Sequence, residues 1–509
     1  MYLVNRQEMK EIDARAIDQW RFPSLILMEN AARSITEALF ETYEDLMDRR
    51  IIVLCGPGNN GGDGLAVARM LHLKGAKVAV YIVNESSDQK TSIDHGVNRE
   101  IIDHLSIRVF DIHREGQLRL LKANLNHCDL LIDALFGVGL DRPLSALVTE
   151  IIDIANERDL PVVAIDCPSG LNADNGQVEG AVLECTDTLA LTLPKVGFYA
   201  GRGPDVCGRV QVLDIGIPSE VADSLAVKTS LLTAADAKVK KDKRPADCYK
   251  HQFGHVGIIA GSVGMSGAAV LTAQAALRTG AGLVSVLADK RIFHAVSTVM
   301  PEAMVRPVQW PSPSALDWLL ARANVLCLGP GLGLDEAKEE TLRYLLDHGD
   351  QPLVLDADGL TLLARLGLDG LKEASRELIL TPHPGEFKRL CGESHDPKVS
   401  RLEAARAFAE KYRVTLVLKG FQTVVAAADG RAAVNSINSP ALATAGAGDV
   451  LAGMITALIG QGLSPFEAAT TAVALHGQCG RNCADIYGED STLAGDLIQE
   501  IAKELRRGK

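Results

Sequence analysis

Short, uninterrupted apolar runs alternate with longer helix-compatible stretches along most of this chain, and the alternation happens twice. In the first half the runs fall at 51–55, 77–83, 129–135, 161–166, 188–193 and 210–215, after two amphipathic helical patterns at 7–18 and 25–41. Short apolar runs with no polar alternation suit strands buried on both faces, as in a parallel sheet covered by helices. The first half is therefore expected to be a doubly wound, Rossmann-like α/β domain. A second series follows at 255–260, 283–287, 325–328, 352–356, 377–380, 414–419 and 423–428, the last two close enough to pair as a hairpin. Helical patterns at 448–459 and 465–479 end it, which predicts a second, different α/β domain.

Between the two series the text AKVKKDKRP (237–245) is charged, aperiodic and ends on Pro, which reads as a solvated linker. The expected division is a domain over 1–220, a linker over 221–245 and a domain over 246–509. A length of 509 residues accommodates two such cores, and 46 Gly with only 4% aromatics suits α/β layers joined by tight loops. A net charge of −13 argues against nucleic acid as a partner. The first residues lack the apolar core of a signal peptide, and no apolar run reaches membrane-spanning length. Ten scattered Cys, many in strand-like runs, suggest buried reduced thiols and a cytoplasmic protein.

The first apolar run leads into GPGNNGGDG (56–64), five Gly in nine residues, and then into a helix-compatible stretch at 65–73. Gly lets backbone approach a ligand, and a helix start offers unpaired N–H groups to an anion, so a phosphate-bearing ligand fits; a tight turn is the plain alternative. The run is neither a GxGxxG fingerprint nor a Walker A loop, because no Lys-Ser/Thr pair follows. Asp133 and Asp166 close two further strands, where ligands bind in open α/β sheets. An Asn, an Asp and a Ser meeting at that edge would offer oxygen ligands to a hard cation.

GPGNNGGDG, DALFGVGLDRP (133–143) and DCPSGLNADNG (166–176), in this order, resemble the YjeF N-terminal domain, the NAD(P)H-hydrate epimerase, over about the first 215 residues. The resemblance implies that Asn60, Asp133 and Ser169 hold K⁺. It also implies a hydrate (NADHX or NADPHX) site made of Asn59, Asn60, Gly61, Gly62, Asp63, Gly137, Val138, Gly139, Leu140, Asp141, Arg142, Pro143 and Asp166. Asp166 is the candidate acid/base at C6 of the nicotinamide ring, with a structural carboxylate as the alternative. Lys195 reads equally as a contact to ligand phosphates or as a surface Lys.

Near the C-terminus, NSPALATAGAGD (438–449) precedes an apolar helical stretch. Gly446, Ala447 and Gly448 would open a helix whose N–H groups stabilise a transferring phosphoryl group, and Asp449 in the first turn could take a proton from an attacking hydroxyl. An N-cap carboxylate is the competing reading. This motif resembles the ribokinase-like superfamily. Together with HQFGHV (251–256), AGSVGMSGA (260–268), GPGLG (329–333), DADGL (356–360), TPHPGEF (381–387) and KGFQT (419–423) it resembles the ADP/ATP-dependent NAD(P)H-hydrate dehydratase. By position, Lys419, Gly420, Phe421, Gln422, Thr423 and Gly448 would contact the adenine nucleotide, and Ala268, Gly331, His383 and Asp449 the hydrate. Glu386 is a looser candidate for ordering Mg²⁺ or water, with an exposed helix-heading Glu as the alternative. His476, Cys479 and Cys483 share a helical face, but the apolar surroundings and the lack of a fourth ligand favour packing over zinc.

The expected function is a bifunctional metabolite repair enzyme, an isomerase that interconverts R and S hydrates and a lyase that dehydrates the S form with ADP as co-substrate. K⁺, Mg²⁺ and a homo-oligomeric state are expected with it. Two rivals share parts of the pattern: a small-molecule kinase, and an N-terminal half that binds nucleotide without catalysis.

Overall fold

The computed structural model describes the chain except residues 44, 85–90, 141–142, 239–243, 374–375, 393–395, 397–398 and 508–509. It divides into two compact units, Tyr2–Val227 and Lys228–Lys509, the second also taking in Met1. Each is described by itself.

The N-terminal unit opens with helices α1 (Arg6–Asp18) and α2 (Ser24–Thr42); Asn5 caps α1 reciprocally with Glu8. The strands are β1 (Arg50–Cys55), β2 (Lys77–Val83), β3 (Arg108–Ile112), β4 (Leu130–Ala134), β5 (Val162–Ile165), β6 (Asp187–Leu191) and β7 (Arg209–Leu213). Helix α3 (Asn59–Leu73) follows β1. The sheet order is β3-β2-β1-β4-β5-β6-β7, with every pairing parallel. β1 shows why its run is continuously apolar: Ile51, Val53 and Cys55 join one core with α2 and α3, while Ile52 and Leu54 join another with helices Leu118–Leu125 and Ala146–Asn156.

In the C-terminal unit the strands are β8 (Thr229–Leu232), β9 (His255–Ile259), β10 (Leu283–Asp289), β11 (Met304–Val308), β12 (Val325–Leu328), β13 (Leu353–Leu355), β14 (Leu378–Leu380), β15 (Thr415–Leu418), β16 (Val424–Ala426) and β17 (Ala432–Asn435). Their order is β11-β10-β9-β12-β13-β14-β15-β16-β17-β8. The pairs β15–β16 and β16–β17 are antiparallel, the first being the expected hairpin, and the rest are parallel. Helix Ala447–Gly460 lies against helix Ser266–Thr279 so closely that a Cβ on Gly453 would fall 2.3 Å from the Thr272 carbonyl oxygen. That contact fixes the direction in which the Ala447 end points.

Three differences from expectation stand out. The segment expected as a linker, 221–245, instead includes the end of helix Ser219–Asp223 and strand β8, and the units divide between Val227 and Lys228. β8 finds its place only by pairing with β17, some two hundred residues on, and nothing local announces such a partner. β3 and β11 also went unseen, since both are sheet-edge strands with half-exposed residues and no continuous apolar run. The rest of the charged stretch, 239–243, lies outside the described residues.

Candidate active sites

In each sheet the strand order reverses at a central crevice, between β1 and β4 and between β9 and β12. Ligands of open α/β sheets bind outside the carboxyl ends of strands at such a switch point. The loops after β1 and β4 carry GPGNNGGDG and DALFGVGLDRP; those after β9 and β12 carry AGSVGMSGA and GPGLG. Four of the motifs are thereby brought, in pairs, to the two crevices.

At the N-terminal crevice the loop is shorter than expected. Gly58 is the N-cap of α3, so Gly61, Gly62 and Gly64 are helical rather than part of a ligand loop. Their smallness serves packing: a Cβ on Gly61 would lie 1.8 Å from the Gly56 oxygen, one on Gly62 2.7 Å from Met28 Cε, and one on Gly64 2.5 Å from Ala134 Cβ. Asn59 and Asn60, in the first turn, border a cavity of about 580 Å³ with Asp63. Gly137, Val138, Gly139, Leu140 and Asp166 complete that side; Gly61, Gly62 and the exposed Pro143 are not in its lining. Asp141 and Arg142 lie outside the described residues.

Asp166 follows β5 with a left-handed backbone, φ 66°, a conformation that costs a non-Gly residue energy and turns its carboxylate into the cavity. Lys195 donates to its Oδ1 and, at 3.0 Å, to the Leu191 carbonyl. Lys195 is fully buried, so the surface reading fails, and its ammonium is spent on Asp166. The wall opposite in sequence comes from α1, through Met9, Lys10, Asp13 and Ile17.

Beside this pair, Asp133 is wholly buried and accepts from Leu135 N (3.1 Å), Ser169 Oγ (2.7 Å) and Ser169 N (2.8 Å). Burial pushes its carboxyl up to about 6 in spite of these bonds. The Asn60 amide is buried with neither its oxygen nor its nitrogen partnered by the protein. A cation would satisfy the Asn60 oxygen and keep Asp133 ionised, so the oxygen donor set suits a hard cation.

In the C-terminal unit, Gly446 takes φ 88° as N-cap of helix Ala447–Gly460, and Asp449 sits in its first turn. Burial, then the negative charge of Asp356, lifts the Asp449 carboxyl to about 6, with Lys419 opposing. Lys419 Nζ lies 2.7 Å from Asp356 Oδ1, which also accepts from Thr381 Oγ1 at 2.7 Å. A Cβ on Gly448 would come within 3.4 Å of Lys419 Nζ, so the ammonium lies at the mouth of the proposed anion hole. Lys419 loses by desolvation but gains more from Asp356, Glu386 and Asp449, and its pKa is raised.

Lys419, Gly420, Phe421, Gln422 and Thr423 form the turn between β15 and β16, with Gln422 at φ 54° and Phe421 exposed. Arg401 clamps this turn, donating to the carbonyls of Leu418 (3.1 Å), Lys419 (2.9 Å) and Phe421 (2.7 Å). Ala268 and Gly331 touch, since a Cβ on Gly331 would lie 3.0 Å from that of Ala268, and Ser262 Oγ holds the Gly331 carbonyl at 2.8 Å. Asp358 Oδ2 accepts from Gly333 N at 2.8 Å. His383 caps helix Pro384–Cys391, its Nδ1 accepting from Gly385 N, while its ring stays half exposed. Glu386 is buried and returns the cap to His383 N at 2.8 Å, so it is not the exposed Glu of the alternative reading. Residues Asp356, Thr381 and Arg401 were not singled out from sequence; only the DADGL and TPHPGEF motifs pointed toward the first two. Cys479 and Cys483 are buried in the core, and His476 is buried with its pKa lowered by desolvation to about 4, in keeping with packing.

Family models match both units: YjeF-related protein N-terminus over 24–197 and NAD(P)H-hydrate dehydratase over 256–503. A bifunctional NAD(P)H-hydrate repair enzyme of Moorella thermoacetica is 37% identical, covering 99% of this chain and 97% of its own. The chain belongs to that family of bifunctional repair enzymes. The Escherichia coli member is 33% identical over 94% of this chain and 88% of its own. Among solved structures, a ribokinase-like superfamily protein of Enterococcus faecalis is 29% identical with a TM-score of 0.50, covering 55% of this chain and 96% of its own. The second unit thus has the ribokinase-like fold, and the family pairs an isomerase with a lyase acting on hydrated NAD(P)H. No helix among the described residues is long and apolar enough to cross a membrane.

Proposed function

We propose that the two crevices divide the repair of hydrated NAD(P)H: the N-terminal cavity interconverts the R and S epimers, and the C-terminal crevice dehydrates the S epimer with ADP. The observation that carries the second assignment is the meeting of Asp449, the N–H groups opening its helix, and the Lys419 ammonium. Hydroxide leaves poorly at neutral pH, whereas phosphate leaves well. Asp449 takes the proton of the C6 hydroxyl, and that oxygen attacks the terminal phosphorus of the nucleotide in line. Lys419 and the amides of Ala447 and Gly448 hold the developing charge. The ring nitrogen's lone pair then expels phosphate from C6, and loss of a C5 proton restores the dihydronicotinamide, leaving AMP and phosphate.

Mg²⁺ binds chiefly through water and substrate phosphates, so it would enter with the nucleotide, and the acidic groups around Lys419, namely Asp356, Glu386 and Asp449, are what this chain offers it. When bound it would neutralise phosphate charge. In the N-terminal cavity Asp166, turned inward and balanced by Lys195, is the acid/base at C6. Asn60, Asp133 and Ser169 would hold K⁺, which supplies a fixed positive charge beside it. Ten cysteines without disulfides accord with a reducing, cytoplasmic setting, and a homo-oligomer is part of the same reading.

The test is incubation of the protein with S hydrate, ADP and Mg²⁺. Recovery of reduced-nicotinamide absorbance with one free phosphate per turnover is expected. A phosphorylated hydrate that persists would make this unit a kinase and overturn the assignment.

A further inference from the structure

The cavity wall built by α1 contains a residue that no motif announces. Met9, Asp13 and Ile17 recur every fourth residue, so they form one stripe along α1, and all three line the cavity that Asp166 and Lys195 enter. The other side of α1, Ile12 and Ala16, is fully buried. A carboxylate in the middle of that stripe is therefore directed at the ligand space, and it precedes the residues matched by the family model.

Inversion at C6 poses a problem that one carboxylate does not solve. C6 carries both an oxygen and the ring nitrogen, so its C–O bond can break with help from the nitrogen lone pair, much as a glycosidic bond breaks with help from the ring oxygen. Inverting such a carbon requires an acid for the departing oxygen on one face and a base for the arriving water on the other. Asp166 has Lys195 as its counter-charge. Asp13 forms no hydrogen bond or ion pair recorded among the described residues.

We propose that Asp13 is the second acid/base of the epimerase cavity, acting with Asp166 to move the C6 hydroxyl from one face of the ring to the other. This rests on the reading of Asp166 given above. Asp13 gives its proton to the C6 hydroxyl, the C6–O bond breaks, water leaves, and the ring nitrogen forms a double bond to C6. Water on the opposite face adds to C6 and yields its proton to Asp166. The hydrate is regenerated with inverted C6, one water having left and one entered, and a proton has passed from Asp13 to Asp166. Exchange with solvent water returns a proton to Asp13 and takes one from Asp166 before the next turnover of the same epimer; from the opposite epimer the two groups exchange roles.

The charged surroundings fit this. Burial first, then the negative charge of Asp166, lifts the Asp13 carboxyl to about 7 against the pull of Lys195, so it retains a proton to give near neutrality. Among the described residues, the other charged groups lining the cavity are Lys10, Asp63 and Asp94. Asp63, on α3, is raised as well, by burial first and then by the negative charges of Asp166, Asp13 and Asp94.

The experiment compares full-length wild type with Asp13→Asn, Asp13→Glu and Asp166→Asn, following R to S interconversion above the spontaneous rate. Asp13→Asn is expected to lower kcat at least about a hundredfold with KM changed less than about threefold, and Asp13→Glu to restore part of it. NADPH should raise the melting temperature of Asp13→Asn as it does that of wild type, which shows that the cavity still forms. In H₂¹⁸O each inversion should place the heavy oxygen on C6. Wild-type kcat in Asp13→Asn, or retention of the original oxygen through inversion, would overturn the proposal. If Asp166→Asn alone is slow, Asp13 fails and the reading of Asp166 stands; if neither is slow, both fail.

Discussion

Lys419 Nζ rests 2.7 Å from Asp356 Oδ1, directly beneath the first turn of the helix that carries Asp449. The pair joins the end of β13 to the turn after β15, so it is a structural clasp as well as the charge that faces the proposed phosphoryl site. Removing one partner of a buried pair leaves the other uncompensated, at a cost of about 3–5 kcal/mol. Asp356→Asn is expected to lower the unfolding free energy of the C-terminal unit, read by chemical denaturation, by an amount near the bottom of that range, because Lys419 is partly exposed. Dehydration should fall with it.

Asp449→Asn keeps size and removes the proposed base. Dehydration of the S hydrate should drop by about 10²–10⁴-fold, while R to S interconversion continues at the wild-type rate. Stopped-time assays of both reactions on the same preparation read this directly, and loss of both activities would argue against separate sites.

The pH dependence follows from the same residue. Asp449 must be ionised to accept a proton, and its carboxyl lies at about 6. The kcat/KM for dehydration should therefore decline about tenfold per pH unit below that value and flatten above it. A profile flat down to the ordinary aspartate range would remove Asp449 as the base.

The orphaned Asn60 amide and the buried Asp133 predict a stabilising monovalent cation. Thermal melts in KCl and in choline chloride at equal ionic strength should separate, with the N-terminal transition higher in KCl. A tenfold excess over Kd corresponds to about 1.4 kcal/mol. Asn60→Ala should bring the two melts together.

Gly61 tests the corrected helix start. With a Cβ only 1.8 Å from the Gly56 oxygen, Gly61→Ala forces backbone apart, and overpacking of this kind costs about 1–3 kcal/mol or more. Chemical denaturation should show a weakened N-terminal unit and an unchanged dehydration rate.

Much was legible in the chain itself. Apolar runs such as 51–55 announce doubly buried strands because each successive residue meets a different core. The motifs announce the crevices because they follow β1, β4, β9 and β12, at whose carboxyl ends ligands of open α/β sheets bind. β17 went unseen although Ala432–Asn435 is wholly buried, its run being only four residues long; the other strands missed lack a local signal. β3 and β11 are half-exposed sheet edges, and β8 depends on a partner far along the chain, so local pattern contains no trace of them. Gly61, Gly62 and Gly64 looked like a ligand loop, yet they are small because α3 packs closely on the Gly56 backbone, on Met28 of α2 and on Ala134 of β4.

Sequence alone therefore determined the fold class and the family, since these rest on local periodicity and on motifs carried by short segments. Only the tertiary structure decided which charges meet. It buried Lys195 against Asp166, set Lys419 between Asp356 and the Gly448 turn, clamped that loop with Arg401, and brought Asp13 into the cavity. A partner's distance and the burial around it set what a charged group does, and neither is written in the spacing of residues along a chain.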